Sequence, residues 1–248
     1  MSTQIDKIQP DWNLKSIIAG FSTSNADQNP VSPISVIPGF DMGINTPSPT
    51  ELTDKNRQQM LREMGLNPNQ LAYLKQVHGS DVLEATHSGL LGEADGLVTN
   101  QSNLALGILV ADCAAVLIAD PDQKVIGAFH AGWRGAIGGI LDNGIKKMQN
   151  LGGKEFSAWI SPCIGLTAFE VGDEVATQFP AKFVHTTGFS KPHLDLKSYV
   201  IENLQNLGIK RDRIFTDERC TFENTEFYSY RRQGKQSGRM LAAISMVS

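Results

Sequence analysis

Apolar positions along this chain fall into short runs, and their spacing predicts strands and helices in mixture. An apolar run, Ile17–Phe21, is followed by Ser24–Pro49, which holds five of the 11 prolines and reads as a long surface loop with short extended pieces. Ser48, Pro49 and Glu51 then form a capping-box arrangement that predicts a helix running to Met64 and stopping at Gly65. From Leu71 the pattern becomes that of strands: Leu74–Glu84, Gly96–Val98, Leu104–Ala111, Val116–Ala119 and Val125–Phe129, separated by Gly, Asn, Asp and Pro. Ile137, Leu141, Ile145 and Met148 share one face of a helix over Ala136–Met148, which Gly152-Gly153 ends. Phe156–Ile160 is a strand. Val171, Val175 and Phe179 at spacing four predict a further helix. Leu196, Val200, Leu204 and Leu207 before Gly208 predict another, and Met240–Val247 reads as a closing strand. Helices and strands mix without strict alternation, which favours an α+β fold: a single layered domain over 1–248, with mixed β-sheets flanked by helices.

Composition narrows the function classes. The chain has 248 residues, with 22 Lys+Arg against 26 Asp+Glu, so its formal charge is −4. A mildly acidic chain lacks the dense positive field that coating a nucleic-acid polymer requires. No apolar run reaches the roughly 18 residues of a spanning helix, so no membrane partner is expected. The first residues lack the basic and apolar regions of a secretory signal, and three cysteines cannot make a disulfide framework. The expectation is a cytoplasmic protein with free thiols.

Three segments share one shape: an apolar strand ends abruptly in a reactive residue beside glycine or aspartate. They are Lys75-Gln76-Val77-His78-Gly79, Val110-Ala111-Asp112-Cys113-Ala114 and Ala128-Phe129-His130-Ala131-Gly132-Trp133-Arg134-Gly135. Two imidazoles and one thiol would form a three-ligand set with an open fourth position, the pattern of a catalytic zinc that lowers the pKa of bound water to about 7. The spacings match no local zinc signature, and a buried free cysteine is otherwise a small hydrophobe. A thiolate paired with histidine is a second use of the same residues: a cysteine hydrolase with Cys113 as nucleophile and His130 or His78 as base, acting on a cell-wall peptide or amide.

Six segments give the chain its resemblance to a known family. They are Lys75–His78, Ala94-Asp95-Gly96-Leu97-Val98-Thr99, Ala111-Asp112-Cys113, His130–Gly135, Pro162-Cys163-Ile164-Gly165 and Ser229-Tyr230-Arg231-Arg232, with weaker matches at Gly20–Thr23 and Ser237–Met240. The sequence resembles the multicopper polyphenol oxidase (laccase) domain proteins, also called peptidoglycan editing factor or YfiH-like proteins, in that family's order over most of the chain. The resemblance implies a YfiH-like sandwich and a metal held by His78, Cys113 and His130. It also implies phosphorolysis of adenosine, inosine and methylthioadenosine to free base and (methylthio)ribose 1-phosphate, with adenosine deamination as a side activity. The small-molecule partners are then a purine nucleoside and phosphate. Only five histidines are present, so three remain beyond the trio, too few for a multicopper relay. Zinc or a single copper is the limit, and single-copper phenol oxidation stays an alternative.

Anion binding wants Arg forks, and Arg134, Arg231, Arg232 and Arg239 are the candidates. Trp133 and Phe21 could stack a purine; Gln76 and Cys163 are further binding candidates. Asp112 could act as a general base beside Cys113 if the chain turns there. The same positions have plainer readings as core residues, packed thiols and solvated pairs, and His87, His185, His193 and Cys220 read as structural or exposed. Three departures stand out. Ser24-Asn25-Ala26-Asp27 replaces the family's usual Arg-Gly-Gly, Ala115 replaces a proline after the ADC segment, and Ser161 replaces a glycine before Pro162-Cys163.

Overall fold

A computed structural model of the chain describes residues 4–26 and 37–247. Its elements begin with strands β1 (Lys7–Ile8) and β2 (Ile17–Ser22), helix α1 (Thr50–Glu63), and strands β3 (Leu71–Lys75), β4 (Val82–Glu84), β5 (Gly89–Glu93) and β6 (Gly96–Thr99). Strands β7 (Ala105–Val110), β8 (Ala114–Asp120) and β9 (Val125–Ala131) follow, then helices α2 (Trp133–Ile137) and α3 (Ile140–Asn150). The second half holds β10 (Ser157–Ile160), α4 (Asp173–Ala176), β11 (Val184–His185), β12 (His193–Leu194), α5 (Leu196–Asn206), β13 (Ile214–Thr216), α6 (Tyr230–Gln233) and β14 (Met240–Met246). One mixed sheet has the order β1-β2-β14-β7-β3-β5 and the other β13-β10-β8-β9-β6-β4, with β11 and β12 as a separate pair.

Side-chain alternation sorts each strand between two cores. Leu106 and Ile108 of β7, Ile244 of β14, Leu117 of β8 and Ala128 of β9 meet between the sheets. Ala105, Leu109, Leu241 and Ala243 point the other way, onto Met60, Leu61 and Met64 of α1 and its end. Val116, Ile118 and Phe129 leave the second sheet's outer face and pack beneath α3 and α5. The order is helix, sheet, sheet, helices. Strands covered on both faces read as continuous apolar runs, and β7, β8, β9 and β14 are buried along their whole length.

Several elements differ from the sequence reading. The single strand expected over Leu74–Glu84 is two, because the chain leaves the first sheet after Lys75 and joins the second at Val82. The helix expected over Ala136–Met148 is broken at Gly138-Gly139, where Gly139 takes φ +85°. Val171, Val175 and Phe179 are buried as their spacing implied, yet only Asp173–Ala176 is helical, since Gly172 and Pro180 bound it. The capping box does not form: Pro49 is the N-cap without a side-chain bond, Ser48 Oγ is buried without a partner, and Glu51 pairs with Lys55. Edge strand β5 is largely exposed, and its two apolar residues, Leu90 and Leu91, are too short a run to mark a strand in the sequence. The described parts of the proline-rich stretch, 24–26 and 37–49, have neither helix nor strand; Pro30 and Pro33 fall outside the described residues. Among the described residues, no helix is long and apolar enough to cross a membrane.

Gly144 shows how tightly α3 seats on the second sheet, because a Cβ there would stand 2.3 Å from the ring of the fully buried Phe129. Gly144→Ala should therefore lower stability by about 1–2 kcal/mol in denaturant unfolding, because overpacking outweighs the helix-propensity gain of about 1 kcal/mol.

Candidate active site

Three connections carry the chain from the first sheet to the second, and two of them hold the first two reactive residues. Between β3 and β4 lies His78, and between β7 and β8 lies Cys113. His130 is the penultimate residue of β9, which pairs with β8 so that Ala115 faces His130 and Ala114 faces Ala131. Antiparallel pairing thus brings the start of β8 and the end of β9 to one rim of the second sheet. There the ligand atoms of His78, Cys113 and His130 all lie within 4.8 Å of one another. The two imidazole rings meet edge to face with centroids 4.8 Å apart.

This donor set suits a metal ion. A Cβ on Gly132 would stand 2.8 Å from Cys113 Sγ and 3.6 Å from His130 Nε2, so the missing side chain leaves a cradle between two of the donors. His130 Nδ1 bonds Asp95 Oδ1 at 2.7 Å. A carboxylate can only accept, so Nδ1 carries the proton and Nε2 is the nitrogen left for a ligand bond. Burial opposes ionisation of Cys113, but His130 and His78 bring its thiol down to about 6. Burial likewise opposes charge on His130, but the Cys113 thiolate and Asp95 raise it to about 9. A thiolate and two imidazoles are borderline-soft ligands, matched to zinc or copper.

Asp95, missed as a site residue although its segment is one of those quoted for the resemblance, sits fully buried just before β6. The backbone N–H groups of Val77, His78 and Gly79 donate to its carboxylate at 3.1, 3.0 and 2.7 Å. They hold His78 at φ +60°, a left-handed conformation that non-glycine residues adopt at a cost. Burial pushes the Asp95 carboxyl up, but His130 and the Gly79 and Val77 N–H groups hold it below its usual range.

The trio opens into a cleft of about 580 Å³, lined also by Gln76, Asp112, Trp133, Arg134, Tyr230, Arg231 and Arg239. The Arg134 guanidinium lies 4.1 Å from the Trp133 ring centre. Arg231 and Arg239 reach the cleft with part of each guanidinium bonded to backbone carbonyls: Glu170 and Ala168 for the first, Ser237 and Gly238 for the second. Buried Asp41 accepts from the backbone N–H of Arg239 at 2.9 Å, and from Gly43 and Thr46.

Other sequence candidates are placed differently. Phe21 is not a stacking surface: it is fully buried between the sheets, edge-on to Trp159 and Phe227. Tyr230, 49% exposed in the cleft, is the aromatic the sequence reading passed over. Cys163 is no site thiol; it is buried, pushed up to about 12 by that burial, and bridged through its backbone to Cys220. Arg232 is spent on the carbonyls of Thr221, Phe222 and Phe227. Gln76 lines the cleft, but its amide exchanges two 2.8 Å bonds with the backbone of Leu109. The chain does turn at Asp112, with φ +81°. Its carboxylate accepts from Thr221 Oγ1, Ser229 Oγ and the Arg231 N–H, so it anchors the 229–231 segment and is not free as a base.

His87 and His185 are exposed, and His193 is buried with Nδ1 2.8 Å from the Leu166 carbonyl. Cys220 is buried and accepts from the Gly165 N–H. The three cysteines are all free thiols, as expected. Where the family pattern is broken at Asn25, that residue takes φ +50° and bonds Asp6 and Thr23, away from the cleft lining; Asp27 lies outside the described residues. Ser161 uses its hydroxyl to accept from the Ala115 N–H at 3.0 Å.

Comparison with known proteins gives a consistent set of likenesses. A family model described as multi-copper polyphenol oxidoreductase laccase matches residues 28–247. A protein of Corynebacterium glutamicum named purine nucleoside phosphorylase is 34% identical over 214 residues, 83% of this chain and 86% of that protein. Purine nucleoside phosphorylase YfiH of Escherichia coli is 30% identical over 247 residues, 97% of this chain and 98% of that one. Among solved structures, hypothetical protein YfiH of Bacillus licheniformis matches with a TM-score of 0.87 and 25% identity, covering 99% and 97% of the two chains. YlmD from Geobacillus stearothermophilus shares the fold at a TM-score of 0.88 and 24% identity, covering 100% and 98%.

Gly132→Ala should abolish stoichiometric zinc uptake, measured by elemental analysis after dialysis, while unfolding stays cooperative. Cys163→Ala should leave the zinc content unchanged.

Proposed function

The chain belongs to the multi-copper polyphenol oxidoreductase laccase family, and on that footing we propose that it is a purine nucleoside phosphorylase assisted by one zinc ion. The observation that carries this reading is the convergence of His78, Cys113 and His130 in one cleft with Trp133, Arg134, Arg231 and Arg239. Its substrates are adenosine, inosine and methylthioadenosine. In the reaction, a phosphate oxygen bonds to C1′ of the ribose as the C1′–N9 bond breaks. The electron pair leaves with the purine, which takes a proton from phosphate or water, giving free base and ribose 1-phosphate or its methylthio analogue. Arg134 supplies a guanidinium at the cleft mouth for the phosphate charge, with Arg231 and Arg239 beside it. Trp133 offers a face to the purine. Held by His78, Cys113 and His130, zinc would supply Lewis-acid polarisation of a substrate oxygen. Deamination of adenosine, in which water replaces the 6-amino group and ammonia leaves, is a second activity of the same cleft.

The family description does not bring a multicopper relay with it. Beyond the trio only His87, His185 and His193 remain, two of them exposed and the third bonded to a backbone carbonyl. A lone copper on the same three donors is the redox variant of this reading, and oxygen consumption with phenols after copper loading tests it. One observation favours a different chemistry. A thiol lowered to about 6 beside an imidazole raised to about 9 is a thiolate–imidazolium pair near neutral pH, a nucleophile beside a proton donor. A cysteine hydrolase would stay active with chelator present and lose activity on alkylation of Cys113.

Zinc-loaded protein should release base from inosine or adenosine only when phosphate is supplied. Cys113→Ala should abolish turnover, and Arg134→Ala should raise the KM for phosphate about tenfold, the loss of one charge-assisted contact. A loaded protein that converts none of the three nucleosides overturns the reading.

A further inference from the structure

We infer that Asp95 is the positioning residue of the metal centre, setting two of its three ligands at once from a single carboxylate. Its Oδ1 takes the His130 ring N–H and the His78 backbone N–H, at 2.7 and 3.0 Å. Its Oδ2 takes the backbone N–H groups of Val77 and Gly79, at 3.1 and 2.7 Å. Four donors therefore converge on one side chain with no exposure to solvent. The two ligands lie on a loop between the sheets and on β9, 52 positions apart in sequence by 130 − 78, and the Asp95 carboxylate bonds to both. The carboxylate sits in turn on a fixed backbone. The N–H groups of Asp95 and Gly96 donate to the Asp81 carbonyl, and the Asp95 carbonyl accepts from the His130 N–H at 2.8 Å. Ring orientation, tautomer and loop conformation thus depend on one group.

Acceptor chemistry makes the role specific to a carboxylate. All four donors are N–H groups, so both oxygens must accept, and an amide at this position turns one of them into a donor aimed at another donor. Asp120 provides the internal comparison. It is equally buried and accepts three backbone N–H bonds, from Gln123, Lys154 and Glu155, but touches no ligand.

The inference rests on the metal reading above and is independent of the nucleoside chemistry. Zinc alone is the probe, with affinity measured by competition against a chromophoric chelator. Asp95→Asn should weaken zinc binding 10- to 100-fold and alter the visible spectrum of the cobalt-substituted protein. Asp120→Asn should lower thermal stability and leave zinc affinity within about twofold. A folded Asp95→Asn protein that binds zinc as tightly as the parent overturns the inference, as does an equal loss in Asp120→Asn or a parent that takes up no zinc. Should Asp95→Asn not fold, amide hydrogen exchange in the parent decides. Slow exchange at Val77, His78 and Gly79 before zinc is added supports a preset loop, and exchange at open-loop rates refutes it. A parent that binds zinc in the expected manner yet cleaves no nucleoside overturns the proposed activity and leaves this inference standing.

Discussion

Burial of both faces of both sheets is the constraint on which the rest of the molecule depends. Helix α1 covers one outer face, α3 and α5 cover the other, and the inner faces cover each other. A side chain on the middle of such a strand has nowhere to meet a substrate. Reactive groups can reach solvent only where strands end, and the chain must also cross between the sheets at strand ends. His78 and Cys113 occupy two of those crossings, and His130 lies at the adjoining end of β9.

Strand ends solve the access problem but leave backbone and ligands without the ladder that fixes a strand interior. Buried carboxylates take over that task around the cleft. Asp95 holds the His78 loop and the His130 ring, Asp112 holds the 229–231 segment, and Asp41 holds Arg239 with the Gly43–Thr46 turn. A carboxylate accepting several N–H and O–H bonds is stabilised by about 1.5–3 kcal/mol per bond to the charged group. The centre is therefore rigid by polar wiring, while the layers behind it are rigid by packing.

How far the site could be read beforehand follows from the same division. His78, Cys113 and His130 stood out because each ends an apolar run, and a run's end is visible in one dimension. The sequence could not separate Arg231 from Arg232, which are neighbours in the chain. One guanidinium lines the cleft, and the other is consumed by the carbonyls of Thr221, Phe222 and Phe227. Phe21 failed as a stacking candidate for a similar reason. An apolar residue at a strand's end is core or cleft depending on which neighbours arrive, and here Trp159 and Phe227 arrive. Asp95 was overlooked because three of its four donors are backbone N–H groups, which leave no mark in a sequence.

By itself, the order of residues determined which stretches are apolar enough to be buried, where they stop, and that two imidazoles and a thiol stand at the stops. Such properties are local, since they depend on a residue and its near neighbours. Only the tertiary structure decided that Leu74–Glu84 divides between two sheets, that Asp112 anchors a distant segment instead of moving a proton, and that four donors meet on Asp95. Those outcomes depend on which hydrogen bonds close between segments tens of residues apart, and pairing of that kind is settled when the layers stack.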